Sequence, residues 1–138
     1  MPEQPTTPDL VERARRSLEA ANRREIDRLS SFFRPDAVWE GLAMGTFEGL
    51  AAIRGLFEDW INTWEEWEIE PEEILDLGNG VTLAVVVQKG RAAGSVNFIR
   101  LRYAEVSTWV DGRIAWNTTY TDMDEARAAA TRLAESRG

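Results

Sequence analysis

A carboxylate in the middle of an apolar strand face is the feature of this sequence best placed to do chemistry. From Ser95 to Val110 one set of alternate residues reads Asn97, Ile99, Leu101, Tyr103, Glu105, Ser107 and Trp109. The other set reads Phe98, Arg100, Arg102, Ala104, Val106, Thr108 and Val110. Successive side chains of a strand point to opposite faces, and Arg100 and Arg102 turn the second set toward solvent or a subunit interface. The first set is then the inner face, predicted to bury Ile99, Leu101, Tyr103 and Trp109. Glu105 lies at its centre. A carboxylate there is costly unless paired or hydrogen-bonded, so either the face lines a polar cavity or Glu105 has a buried partner. Its neighbours on that face bring hydroxyls and no positive charge. Desolvation should therefore raise its pKa toward the range of a proton shuttle.

Other residues could share the site. Glu40 follows Trp39 on a short extended segment beside a glycine-rich loop, a common place for functional groups. Trp60 and Trp64 stand one helical turn apart with Trp67 beyond, in a chain with six tryptophans. Such a stripe either fills a core or walls an apolar ligand cavity. The strand returning after Asp111-Gly112 carries an ambiguity. A two-residue loop puts Trp116 and Thr118 on the face of Glu105, whereas a three-residue loop puts Asn117 and Thr119 there. The acidic run Glu65-Glu66, Glu68, Glu70, Glu72-Glu73 lacks the pattern of a calcium loop and reads as a solvated edge that discourages strand pairing. No metal site is expected.

Composition removes much other chemistry. With no cysteine and no histidine among 138 residues, thiol nucleophiles, thiolate or imidazole metal sites and histidine-based triads are excluded. Sixteen basic against 24 acidic residues leave a net charge of −8, which repels phosphate backbones and anionic membranes. The longest apolar run, Val81 to Val87 with Thr82 inside it, is far short of the roughly 20 residues that cross a bilayer. Residues 1–8 are polar, rich in proline and unlike a signal peptide, so a disordered tail and a cytoplasmic location are expected. Residues 9–138 are read as one domain.

These candidates must be positioned by a small set of elements. Thr7 is a possible cap for a helix whose stripe runs Val11, Ala14, Leu18, Asn22, Ile26, Leu29 and Phe33, with an interruption near Asn22–Glu25 and an end at Arg34-Pro35. Val38–Glu40 is a short extended piece. A second helix presents Leu50, Ile53, Leu56, Phe57, Trp60, Ile61 and Trp64. Strands are read over 67–77, with Pro71 favouring an edge or bulge, then 81–88, 95–110 and 113–121. Asp122 caps a last helix from Met123 to about Ser136. Helices followed by antiparallel strands and a final helix make an α+β domain.

The pieces in this order resemble the SnoaL-like group of the nuclear transport factor 2-like, or cystatin-like cone, superfamily. The resemblance rests on Phe33-Arg-Pro-Asp-Ala-Val-Trp39-Glu40, Phe47-Glu-Gly-Leu-Ala-Ala-Ile-Arg54, Trp60 with Trp64-Glu-Glu-Trp67 and Pro71-Glu-Glu. It continues in Gly90-Arg-Ala-Ala-Gly94, Trp109-Val-Asp-Gly-Arg-Ile114 and Tyr120-Thr-Asp122 with Glu125-Ala126, over about residues 9 to 135. It implies helices packed in a strongly curved antiparallel sheet, a cone or half-barrel, around an apolar cavity. Members include ketosteroid isomerases, scytalone dehydratase, polyketide cyclases and limonene-type epoxide hydrolases, beside proteins that only bind ligands; sheet-packed dimers are frequent. By that resemblance the isomerase's general base falls at Gly41, one residue after Glu40, and its helix tyrosine at Ala14. Its protonated acid falls at Glu105, and the acid/base aspartate of SnoaL-type cyclases at Thr119. The Asp-Arg-Asp set of the epoxide hydrolases has no match.

The resulting expectation is a cofactor-free isomerase, cyclase or epoxide-opening enzyme acting on an apolar carbonyl or polyketide-like molecule. Glu105 is its acid or oxyanion donor and Glu40 its weaker candidate base. Trp39, Trp60, Trp64, Tyr103, Asn117 and Thr119 are the candidate substrate contacts. The alternative is a non-catalytic ligand-binding or dimerisation domain of the same fold. A homodimer through the sheet is expected from Phe98, Val106, Thr108 and Val110 on the convex face.

Overall fold

The computed structural model describes residues 9–41 and 44–138. The chain runs α1 (Leu10–Asn22), α2 (Ile26–Ser30), β1 (Phe33–Gly41), β2 (Gly45–Glu48), α3 (Leu50–Asn62), β3 (Trp64–Gly78), β4 (Val81–Ala92), β5 (Ile99–Val110), β6 (Arg113–Tyr120) and α4 (Met123–Arg137). The six strands form one curled, unclosed sheet in the order β2-β1-β6-β5-β4-β3. Neighbours are antiparallel except β1 and β6, which run parallel. The α+β class and the cone architecture with a C-terminal helix are as expected, but the sheet is mixed and not wholly antiparallel.

Local chemistry explains the boundaries. The expected Thr7 cap and the 1–8 tail lie outside the described residues; α1 is capped by Asp9, whose carboxylate accepts from the Glu12 amide at 3.1 Å. The expected interruption is real. Arg24 takes a positive φ of 58°, and Asn22 turns its amide onto β3, donating to the Ile69 carbonyl at 2.7 Å and accepting from the Ile69 amide at 2.6 Å. One side chain thus completes the backbone pairing of an edge strand. Phe33 does not continue the helical stripe but opens β1, because the residues before Pro35 are biased to extended conformations. Trp64 likewise leaves the helix and opens β3. Its indole lies flat against Gly90, where a Cβ would come within 2.6 Å of the ring, so only glycine fits beneath it.

Two apolar layers flank the sheet. On the concave side α1–α3 bury Leu18, Ala21, Leu29, Ile53, Phe57 and Ile61 against Phe33, Ala84, Val86 and Trp109. On the convex side the alanines of α4 at positions 126, 130 and 134 pack on Val81, Leu83, Val85, Ala104 and Val106. Spacing of four residues puts the three methyl groups on one helical stripe, which lets the helix approach closely. This corrects the basis of the expected sheet-mediated dimer. Val106 lies under the chain's own α4 and Thr108 is also buried, leaving Phe98 and Val110 exposed. A second correction concerns β5. Ile99 and Leu101 are 49% and 38% exposed, because the buried helical layer reaches no further along this strand than Tyr103. Arg100 and Arg102 are exposed as expected, and Arg102 holds Glu72 at 3.1 Å. No helix among the described residues is long and apolar enough to cross a membrane.

Candidate functional site

The concave face of β5 and β6 is set by one irregularity. Asp111 and Gly112, with φ of 53° and 77°, form a two-residue turn that pairs Val110 with Arg113. The register then shifts: Trp109 faces Ile114, whereas Thr108 faces Trp116, so Ala115 is the extra residue of a bulge. The bulge reverses the faces of all that follows. Asn117 and Thr119 turn inward, while Trp116 turns outward and is 43% exposed. The short loop and the Asn117/Thr119 face, alternatives in the sequence, therefore occur together. Thr119 stands directly opposite Glu105 and Asn117 opposite Ser107.

Between this face and the helices is a pocket of about 400 Å³. Its far wall is a cluster of Phe33, Trp39 and Phe57, with ring centroids 5.4–5.9 Å apart. Leu18 and Ala21 of α1, Leu56, Trp60 and Ile61 of α3, and Trp67 and Ile69 of β3 supply most of the remaining hydrocarbon. The polar residues that the strands contribute are Gln88, Arg102, Tyr103, Glu105 and Thr119, of which Arg102 is exposed and its guanidinium pairs with Glu72 at 3.1 Å.

Glu105 borders this space and, among the described residues, makes no ion pair or hydrogen bond. Burial alone pushes its pKa from the ordinary 4.5 to about 7. At neutral pH it is therefore divided between acid and carboxylate, the condition in which one group can both give and take a proton. Tyr103 is pushed well above its usual value, first by burial and then by the charge of Glu105, so its hydroxyl stays protonated.

The other candidates separate into two groups. Trp39, Trp60, Tyr103 and Thr119 line the pocket with Glu105. Glu40 does not. It neighbours Trp39 on β1, pairs with Thr118 and not Thr119, and so belongs to the opposite face. Trp64 does not line the pocket either; it packs edge-on to Trp60 at 5.6 Å, outside the lining. Asn117, which is 1% exposed, also lies behind the wall. Its Oδ1 accepts from the Ser107 hydroxyl at 2.8 Å, and its Nδ2 has no partner among the described residues. Four of the six carboxylates of the acidic run go to surface ion pairs, Glu65 and Glu66 with Arg91, Glu72 with Arg102, and Glu73 with Arg127, while Glu68 and Glu70 are exposed.

Sequence reasoning missed Gln88, read there as the end of a strand apolar on both faces. It is 1% exposed, and its Oε1 accepts from Trp60 Nε1 at 3.1 Å and from Tyr103 Oη at 3.2 Å. A lone amide closing the run Val81–Val87 was the available signal.

A family model for the SnoaL-like domain matches residues 14–117. No curated protein matches the chain. Among solved structures, a protein of ketosteroid isomerase-like fold from Catenulispora acidiphila, in complex with trimethylamine, has a TM-score of 0.72 at 17% identity, covering 91% of this chain and 94% of that one. An M. tuberculosis epoxide hydrolase of the LEH-like kind has a TM-score of 0.72 at 16% identity, over 93% of each chain. A protein from Sinorhizobium meliloti, provisionally named a polyketide cyclase, is 27% identical with a TM-score of 0.66, over 82% of this chain and 94% of that one.

Proposed function

Because this chain belongs to the SnoaL-like family, we propose that it takes an apolar small molecule into the concave pocket and that Glu105 moves a proton on it without a cofactor. The observation that carries the reading is a carboxyl group at the pocket wall, with no cation beside it and a pKa near 7. Ordinary structural carboxylates are held down by a partner, as Glu73 is by Arg127. A carboxyl held up by burial instead is suited to abstract a proton next to a carbonyl and return it elsewhere.

The arrangement favours chemistry that one carboxyl can complete. Gly41 borders the pocket and Glu40 lies outside it, so no second carboxyl lines the described wall. Isomerisation, or a cyclisation begun by enolisation, needs one group that alternates between base and acid. Epoxide opening by an acid plus a separate water-activating base is less well served. The substrate class is an apolar, enolisable carbonyl or polyketide-like compound. That single carboxyl also favours a second reading, in which the domain binds such a molecule and performs no reaction. Deuterium exchange at C1 of 2-tetralone, followed by NMR, separates the two. Exchange that disappears in Glu105→Gln supports catalysis; binding without exchange supports the second reading.

Pairing of two copies through the sheet and a cytoplasmic location complete the proposal. The surface left for pairing is Phe98, Val110 and the outward Trp116, which are 59%, 37% and 43% exposed. A light-scattering mass of twice 15.6 kDa is the expected result, and a mass of 15.6 kDa at high concentration overturns the dimer.

A further inference from the structure

We infer that Gln88 is a second polar anchor of the pocket, donating its amide N–H to an oxygen of the ligand remote from the one that meets Glu105. The inference rests on the reading of the pocket as a small-molecule site, and adds that the ligand carries two separated oxygen functions.

The orientation of the amide is fixed by chemistry. An indole N–H can only donate, so the Gln88 atom 3.1 Å from Trp60 Nε1 is the carbonyl oxygen. Tyr103 Oη, 3.2 Å from the same oxygen, donates as well, because that oxygen cannot give a proton back. Both lone pairs of Oε1 are thereby used. The nitrogen, with two hydrogens, finds no acceptor among the described residues. It is also absent from the sealed, unpartnered atoms, which are Ser30 Oγ, Trp64 Nε1, Trp67 Nε1 and Asn117 Nδ2. What remains open of Gln88 faces the pocket it lines. A buried amide donor left without an acceptor is costly, and a ligand oxygen would satisfy it.

Register gives the spacing. Glu105 is opposite Ala84 on β4, and Gln88 lies four residues further along the same strand and on the same face. Four residues at about 3.3 Å each separate the two backbone positions by roughly 13 Å. Tyr103 lies between them on the same wall. A monofunctional ketone can reach one end only. A fused bicycle with oxygens at opposite ends can address both.

The experiment compares 2-tetralone with 6-methoxy-2-tetralone, which adds an ether oxygen at the far end of the bicycle. Dissociation constants are measured for wild type, Gln88→Met and Gln88→Glu. Measured at pH 9, where its carboxyl is ionised, the glutamate variant keeps oxygens for Trp60 and Tyr103 while removing the donor, and so serves where the methionine variant does not fold. Wild type should bind the methoxy compound about tenfold more tightly, and either variant should bind the two ketones equally. Equal binding of the two ketones by wild type, or a preference that survives both substitutions, overturns the inference. Exchange at C1 of 2-tetralone reports on Glu105 separately. If exchange stands while the preference is missing, only the anchor falls; if the preference stands without exchange, only the catalytic reading falls. Failure of both ketones to bind overturns the anchor along with the pocket reading.

Discussion

Replacing Glu105 with glutamine should stabilise the protein at neutral and alkaline pH. The folded carboxyl titrates near 7 and the unfolded one near 4.5. Below about pH 4.5 both states are protonated and burial carries no ionisation penalty. Between 4.5 and 7 the unfolded chain has released the proton that the folded chain still holds, so stability falls as pH rises, by about 1.4 kcal/mol per pH unit. Above 7 both are ionised and the penalty levels off at about 3 kcal/mol. Glutamine has nearly the same shape and never ionises. The difference between Glu105→Gln and wild type should therefore rise by about 3 kcal/mol from pH 4.5 to pH 8. Taking the difference cancels carboxylates of opposite behaviour, such as Glu73, whose pKa is lowered by Arg127. Urea melts at half-unit pH steps measure it directly, and the expected gain in midpoint at pH 8 is about 1–2 M. A difference that does not vary with pH refutes the desolvation reasoning. A glutamine variant less stable than wild type at pH 8 would mean that the ionised carboxylate has a partner, and would remove the ground for assigning proton transfer to it.

Three further outcomes are expected. If Glu105 acts as base, the rate of C1 exchange in 2-tetralone should climb with pH, reach half its maximum at about pH 7 and level off about one unit higher, and a rate independent of pH between 5 and 9 contradicts that role. Gly90→Ala should destabilise by about 1–3 kcal/mol, because the new methyl meets the Trp64 ring; an unchanged melt and unchanged near-ultraviolet tryptophan dichroism count against the packing described. Asn22→Ala should cost about 2 kcal/mol and speed hydrogen exchange at the Ile69 amide selectively, since that amide loses its acceptor.

The sequence revealed elements more readily than their ends. Periodicity found the helices and the long strands because burial dictates it, and Asp122 was read correctly as a cap since its carboxylate bonds the Glu125 amide at 3.0 Å. The ends depended on tertiary partners that local pattern does not encode. Trp64 continues the apolar spacing of α3, yet pairing with Ala92 and the bare surface of Gly90 draw it into β3. Ile99 and Leu101 alternate like core residues, but burial depends on a helix lying over them. The half-buried place of Glu105 on the inner face was legible because a carboxylate between Tyr103 and Ser107 breaks an apolar face. Glu40 was misplaced because its face depends on β1 pairing with β6, a contact between distant parts of the chain. The bulge at Ala115 could not be read either, since it leaves the turn residues unchanged while reversing every side chain after it.

The distribution of polar groups around the pocket bears on how a ligand would be held. The helices present mainly hydrocarbon, and their polar atoms are already engaged: Ser17 Oγ donates to the Ala14 carbonyl at 2.7 Å, and Trp60 Nε1 donates to Gln88. Gln88, Tyr103, Glu105 and Thr119 all come from β4, β5 and β6, each of which has a hydrogen-bonded neighbour on both sides. Strands in that position have little freedom to shift, so the groups that would orient a ligand are held on the most rigid part of the fold. The convex face of β4 and β5 is fixed as well, by the alanine stripe of α4. Adjustment to ligand shape would then fall to the aliphatic and aromatic side chains of α1 and α3. Those contacts are non-directional and tolerate small displacements, whereas a proton transfer from Glu105 does not. A ligand held this way keeps one oxygenated edge along the sheet and its hydrocarbon toward the helices.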